Sequence, residues 1–206
     1  EKNNLKILEI GCGTGGNLAL LSEFGEVSAM ELDQTARNMA IQKKICDVKK
    51  GDLPNNIPFT EKFDLICLFD VLEHIEDDYA AIVSIKERLN EKGKIIITVP
   101  AFQFLWSQHD IEHHHKRRYT LKKLKELFTE NNLKITYSSY FNFLLFPAIV
   151  IVRTLRIPFF KKSNPNLYPP SAIINKLLVT IFSIEESIIP SIKLPFGVSI
   201  IIILDK

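Results

Sequence analysis

Only three cysteines, Cys12, Cys46 and Cys67, occur in this 206-residue chain, widely spaced and without a C-x-x-C pair. That excludes a zinc ribbon and a disulfide framework, and reads the thiols as reduced packing residues. Charge of one sign is also lacking. Lys and Arg number 26 against 24 Asp and Glu, a net charge of +2. A nucleic-acid partner usually requires a basic excess, so none is expected. Long apolar runs are absent too. The longest, "FLLFPAIVIV" at 143–152, is about half of the roughly 20 residues that a spanning helix needs. No internal repeat or low-complexity tract is present, and no secretory leader is expected. The chain opens "EKNNLKILEIG" without Met, so a longer natural N-terminus is expected, with a cytoplasmic location.

What is present is an ordinary globular balance, 46% hydrophobic and 24% charged, at a length that suits a single domain spanning 1–206. Apolar strands are expected at 6–10, 27–31, 46–50, 63–70, 93–100, 134–141 and 196–206. Helical spacing falls between them. Leu18, Leu21 and Phe24 share one face. Asp33 caps a helix to about residue 44. Ile82, Ile85 and Leu89 line a helix over 77–90. Thr120 caps one that carries Leu121, Leu124, Leu127 and Phe128. Strands alternating with helices predict an α/β fold with a mostly parallel sheet. The exception is an apolar insertion at 142–194, in a stretch holding seven of the ten prolines. Positions 173, 174, 177, 178, 181 and 182 give it helical spacing.

Residues 9–17, "EIGCGTGGN", follow the first strand and pose the functional question. Gly11, Gly13 and Gly16 fit G-x-G-x-x-G, a dinucleotide loop. Glu9, Gly11, Gly13 and Gly15 fit E-x-G-x-G-x-G instead. Glu31, 20 residues after Gly11, suits ribose hydroxyls in either case. Glu9 separates them, because a pyrophosphate is repelled by a carboxylate and an ammonium is attracted. Asp52, closing the third strand, offers an acceptor to an adenine amino group.

These segments resemble, in order, the motifs of the class I S-adenosylmethionine-dependent methyltransferases: "LEIGCGTGGNL", "MELD", "KGDLP" and "DVLEHI". The resemblance runs strongly over 5–141 and weakly over the last strand. It implies a Rossmann-like seven-stranded sheet in order 3-2-1-4-5-7-6, strand seven antiparallel, flanked by helices. It implies S-adenosylmethionine as cofactor and S-adenosylhomocysteine as product. Glu9, Gly11, Cys12, Gly13 and Gly15 are then its methionine and ribose side, and Glu31 holds the ribose. Leu32, Asp52 and Leu53 meet the adenine. Phe69 and Asp70 lie beside the sulfonium. Glu73 and His74 read as packing and surface residues.

Residues 101–120, "AFQFLWSQHDIEHHHKRRYT", follow strand five at the cofactor end of the sheet. They resemble a segment of a bacterial subgroup of the family, H-D followed by H-x-R-R-Y-T. His115 is the candidate general base, with His109 and Arg118 as further catalytic candidates. The competing reading is a structural segment held shut by Arg–Asp pairs. No metal site is expected, since adjacent ligands in the triple histidine 113–115 rarely converge. The expected reaction moves a methyl to oxygen of a small-molecule or lipid-like acceptor. Transfer to carbon or nitrogen, or a non-catalytic cofactor-binding scaffold, are the alternatives. The insertion is read as a helical cover on the sheet edge. A peripheral membrane contact through Arg153, Arg156, Lys161 and Lys162, or a homodimer interface, are the other readings.

Overall fold

The computed structural model describes residues 5–154 and 171–206. Seven strands form one sheet in order β3-β2-β1-β4-β5-β7-β6. They are β1 (Leu5–Ile10), β2 (Gly25–Met30), β3 (Asp47–Lys49), β4 (Phe63–Phe69), β5 (Leu89–Pro100), β6 (Lys134–Phe141) and β7 (Ser199–Asp205). β1 to β5 run parallel, and β7 pairs antiparallel with both β5 and β6. The expected order and the reversed last strand are both present.

The pleat explains the two-sided core. Successive side chains point to opposite faces, so Ile7 and Leu8, both fully buried, enter different clusters. Leu8, Ile66, Ile95 and Ile202 meet Ala81, Ile82 and Ile85 of α3 (Asp78–Glu87) and Leu124 and Phe128 of α5 (Leu121–Glu130). Ile7, Val27 and Cys67 meet Leu18 and Leu21 of α1 (Leu18–Leu21) and Ala40 of α2 (Gln34–Gln42). The caps form as expected. Asp33 accepts from Ala36 N–H, and Thr120 accepts from Lys123 N–H. Sheet polarity then fixes the functional edge. The carboxyl ends of β1 to β6 and the start of β7 lie together, since Pro100 pairs with Ser199 and Ser199 with Phe141.

Two expectations differ from the structure. α1 stops at Leu21 and leaves Phe24 53% exposed, because the chain turns there into β2. The insertion is helical, with α6 (Phe146–Thr154) and α7 (Ala172–Ile188), yet among the described residues its apolar face covers little. Ile174, Leu177 and Phe182 are exposed. Apolar periodicity specifies a helix face, not the surface that meets it. α7 is fixed instead by Glu185, whose Oε2 accepts from Phe143 N–H and Leu144 N–H, and by Tyr137 O–H donating to the Ile189 carbonyl. Among the described residues no helix is long and apolar enough to cross a membrane. Arg156, Lys161 and Lys162 lie outside the described residues.

Candidate active site

The loop after β1 decides between the two glycine readings. Gly11, Gly13 and Gly15 have φ of +68°, +54° and +78°, whereas Gly16 has no positive φ. The positions that need glycine are those of E-x-G-x-G-x-G. A Cβ on Gly11 would meet Val71 Cγ2 at 2.6 Å, while one on Gly13 would meet nothing within 4 Å. Gly13 thus presents bare backbone to open space, which leaves room for the close approach of a ligand. Lys43 Nζ donates to the Gly15 carbonyl at 2.7 Å and pins the far side of the loop.

Two acids frame this loop. Glu31 sits just past β2 and accepts from Gly13 N–H and Asp33 N–H, each at 2.8 Å. Its carboxylate is already oriented, with lone pairs left for hydroxyl donors. Glu9 is 1% exposed and accepts from Asn17 Nδ2 at 3.0 Å. Its other oxygen has no partner among the described residues. Burial raises its carboxyl, with Asn17 and then Lys43 opposing. An orphaned acceptor beneath a bare-backbone loop fits an ammonium or a bridging water, and does not fit a pyrophosphate. Cys12 holds the loop. Its N–H donates to the Met30 carbonyl, its carbonyl accepts from Gly15 N–H, and its thiol is buried and pushed up to about 12.

The remaining predicted cofactor residues line the same edge. Leu32 is 58% exposed, an apolar side chain free to cover a base. Asp52 exchanges backbone hydrogen bonds with Asn56 in a tight turn, and Leu53 packs onto the core beside it. Phe69 ends β4, and Asp70 follows at φ +54°, its N–H bonded to Thr98. These residues fit S-adenosylmethionine along β1 to β4.

The segment after β5 is organised around one buried carboxylate. Ser107 and Asp110 form a capping box at the start of α4 (Gln108–Glu112). Asp110 is fully buried. Its Oδ1 accepts from Arg118 Nε at 2.7 Å and His115 Nδ1 at 3.0 Å, and its Oδ2 from Ser107 N–H at 2.8 Å. Burial pushes its carboxyl up, but Arg118, Ser107 and His115 together outweigh that and hold it below the ordinary value. Arg118 also donates to the Ala101 carbonyl and is 6% exposed. It is spent on holding the segment, in line with the structural Arg–Asp reading. Arg153 of α6 donates to the Leu105 carbonyl and lies 3.8 Å from Asp110. Its guanidinium is therefore directed at the site.

His115 is oriented by this carboxylate. An ionised Asp110 only accepts, so Nδ1 carries the proton and Nε2 keeps its lone pair. Burial lowers the imidazole below its usual range, against the opposing effect of Asp110. His109 is exposed and packs at a 46° tilt against His113, with ring centroids 4.1 Å apart.

Glu73 departs from the packing-and-surface expectation. It is fully buried, and neither carboxylate oxygen has a partner among the described residues. Burial, then the Asp70 charge, push it up to about 8. Sequence reasoning passes over Ser107 and Glu73. The S-x-x-D spacing signals the first, and nothing local signals the second. Next to this cluster stand aromatic rings. Phe102 stacks on Tyr140 at 5.0 Å, and Phe104, Phe146 and Phe196 continue the group.

The comparisons agree with this geometry. A family model described as a methyltransferase domain matches residues 1–138. The chain belongs to that family, and its fold and glycine loop are those of a class I S-adenosylmethionine-dependent methyltransferase domain. A ubiquinone biosynthesis O-methyltransferase from Candida albicans is 27% identical over 47% of this chain and 32% of its own length. The chain spans between 5% and 50% of the length of the curated relatives it matches. Among solved structures, a methyltransferase from Mesorhizobium loti superposes with TM-score 0.66 at 13% identity, covering 100% of this chain and 93% of that one. The O-methyltransferase of a Brevibacillus brevis polyketide synthase, in complex with S-adenosyl-L-homocysteine, superposes with TM-score 0.61 at 17% identity. It covers 98% of this chain and 66% of that one.

Proposed function

We propose that this domain transfers a methyl group from S-adenosylmethionine to an oxygen of a small or lipid-like acceptor. The observation that carries the reading is the Asp110–His115 pair. It stands between the cofactor half of the sheet edge and an aromatic cluster. Bound S-adenosylmethionine supplies an electrophilic methyl on a sulfonium, a leaving group that needs no protonation. The chain's task is therefore alignment, exclusion of water and activation of the acceptor.

Glu31, Gly13 and Leu32 hold the nucleoside, and Glu9 takes the amino-acid end directly or through water. The rings of Phe102, Phe104 and Phe146 favour an apolar acceptor body. His115 Nε2, with its lone pair free, takes the proton that the acceptor hydroxyl gives up as its oxygen attacks the methyl and the sulfur leaves. Two curated relatives named as O-methyltransferases support oxygen as the acceptor atom.

The test follows methyl transfer from labelled S-adenosylmethionine to a long-chain alkylated phenol. His115→Ala lowers the rate by about 10²–10⁴-fold and leaves S-adenosylhomocysteine affinity unchanged. The wild-type rate rises with pH through a value below the ordinary histidine range, and the variant loses that rise. Equal rates in the two proteins overturn the role of His115. Loss of S-adenosylhomocysteine binding by the variant would make it structural.

A further inference from the structure

We propose that Glu73, His74 and His115 form a binding site for one divalent transition-metal ion. One ligand atom from each of the three lies within 4.8 Å of the others. His115 Nε2 stands 4.0 Å from Glu73 Oε1, and the two imidazoles meet edge to face at 4.6 Å between centroids. A tetrahedral ion with bonds of about 2.1 Å sets its ligands roughly 3.4 Å apart. The separations present, 4.0 Å and up to 4.8 Å, leave a gap for side-chain rotation to close on binding.

Three independent features point to a cation. The first is Glu73, a carboxylate 0% exposed with both oxygens unpartnered among the described residues. Such a group is costly to bury as an anion unless it is paired or coordinates a metal, and without a cation it keeps its proton. The second is the tautomer of His115. Its Nδ1–H donates to the buried Asp110 and leaves Nε2 as the ligand atom. A carboxylate behind a ligating histidine fixes ring orientation and raises basicity, the usual outer partner of a metal-bound imidazole. The third is convergence. Ligand atoms from two separate segments of the chain, Glu73 and His74 after β4 and His115 after β5, come within 4.8 Å of one another.

Two imidazoles with one carboxylate suit Zn²⁺, Co²⁺ or Fe²⁺ better than Mg²⁺ or Ca²⁺, which prefer oxygen ligands alone. Three protein ligands leave coordination positions open, as in catalytic rather than structural sites. The ligand class that the open position takes is a hydroxyl or phenolate oxygen, and an ion on His115 Nε2 then replaces the free imidazole as the group that activates it. This last step rests on the O-methyl reading; the binding of the ion does not. The site does not use the triple histidine as such. It joins His115 to two residues after β4, more than 40 positions earlier in the chain.

The experiment uses tag-free protein stripped by a chelator and titrated with Zn²⁺ by calorimetry and with Co²⁺ by visible absorption. S-adenosylhomocysteine is titrated in parallel. One ion binds per chain. Glu73→Gln and His115→Ala weaken it by at least about 100-fold, by loss of a ligand. His114→Gly, at an exposed position of positive φ, leaves it unchanged. All four proteins keep their S-adenosylhomocysteine affinity. The wild-type Co²⁺ spectrum shows d–d bands without thiolate charge transfer, a readout that needs no variant. No stoichiometric binding by the wild type, equal binding by Glu73→Gln, or a thiolate band overturns the site. Ion binding that persists while S-adenosylhomocysteine fails to bind would instead overturn the cofactor reading alone.

Discussion

The two halves of the sheet's carboxyl edge are assembled in different ways. Along β1 and β2 the site is made of neighbours. Gly13 and Glu31 are bridged at 2.8 Å, Glu31 and Asp33 belong to one turn, and Asn17 reaches back to Glu9. Backbone N–H groups and short loops do the positioning. Along β4, β5 and β7 the site is made of strangers. Asp110 gathers Ser107, His115, Arg118 and, at longer range, Arg153. Glu73 meets His115 across 42 residues. The first half binds a ligand common to a whole family. On the proposed reading the second meets the acceptor, and is free to differ with it. The contrast also separates energies. Local turns cost little if one contact fails, whereas a buried charge network loses several contacts at once.

The largest expected effect tests that difference directly. Asp110→Asn leaves Arg118 buried with a neutral partner and should destabilise the fold by about 3–5 kcal/mol, the range for a broken buried pair. Chemical denaturation measures it. A loss under about 1 kcal/mol would make the far half as loosely coupled as the near one. Because the Asp110 carboxyl is held below its unfolded value, its contribution is present above that value and is lost as pH falls through the folded one.

Glu73 gives the opposite sign. Its carboxyl is raised to about 8, so the folded chain holds a proton that the unfolded chain releases. Stability of cation-stripped protein should fall as pH rises between the ordinary glutamate value and about 8. Glu73→Gln should remove that fall and gain a few kcal/mol at the alkaline end, with little change in acid. Melting curves across that window decide it, and parallel curves for the two proteins would refute the buried, unpartnered carboxylate. The smallest effect belongs to the near half. Glu31→Ala should weaken S-adenosylhomocysteine binding by about 1.5–3 kcal/mol, the value of lost charge-assisted hydrogen bonds. Calorimetry reads it, and unchanged affinity would move the ribose elsewhere.

Legibility in the sequence follows the same division. Strand periodicity, the Asp33 and Thr120 caps and the spacing of Glu9, Gly11, Gly13 and Gly15 are relations among residues close in the chain. Hydrogen-bond geometry and sterics over a few residues are enough to specify them. Glu73 was not legible, because a glutamate flanked by Leu72 and His74 gives no local sign of being buried. Arg118 was legible as a residue type and not as a role. Only the fold shows that its guanidinium is spent on Asp110 and the Ala101 carbonyl. The exposed face of α7 is the same lesson in apolar form, since periodicity makes the helix and tertiary contact alone gives it a partner.

By itself, then, the sequence determined an α/β sheet, a glycine loop that wants positive φ at three positions, and acids placed to meet a nucleoside. Tertiary structure decided which charges are buried together, which histidine has an oriented lone pair, and that Glu73, His74 and His115 share one corner. The physical reason is range. Backbone conformation is set by neighbours in the chain. Burial, pairing and proton affinity are set by whatever the folded chain brings alongside.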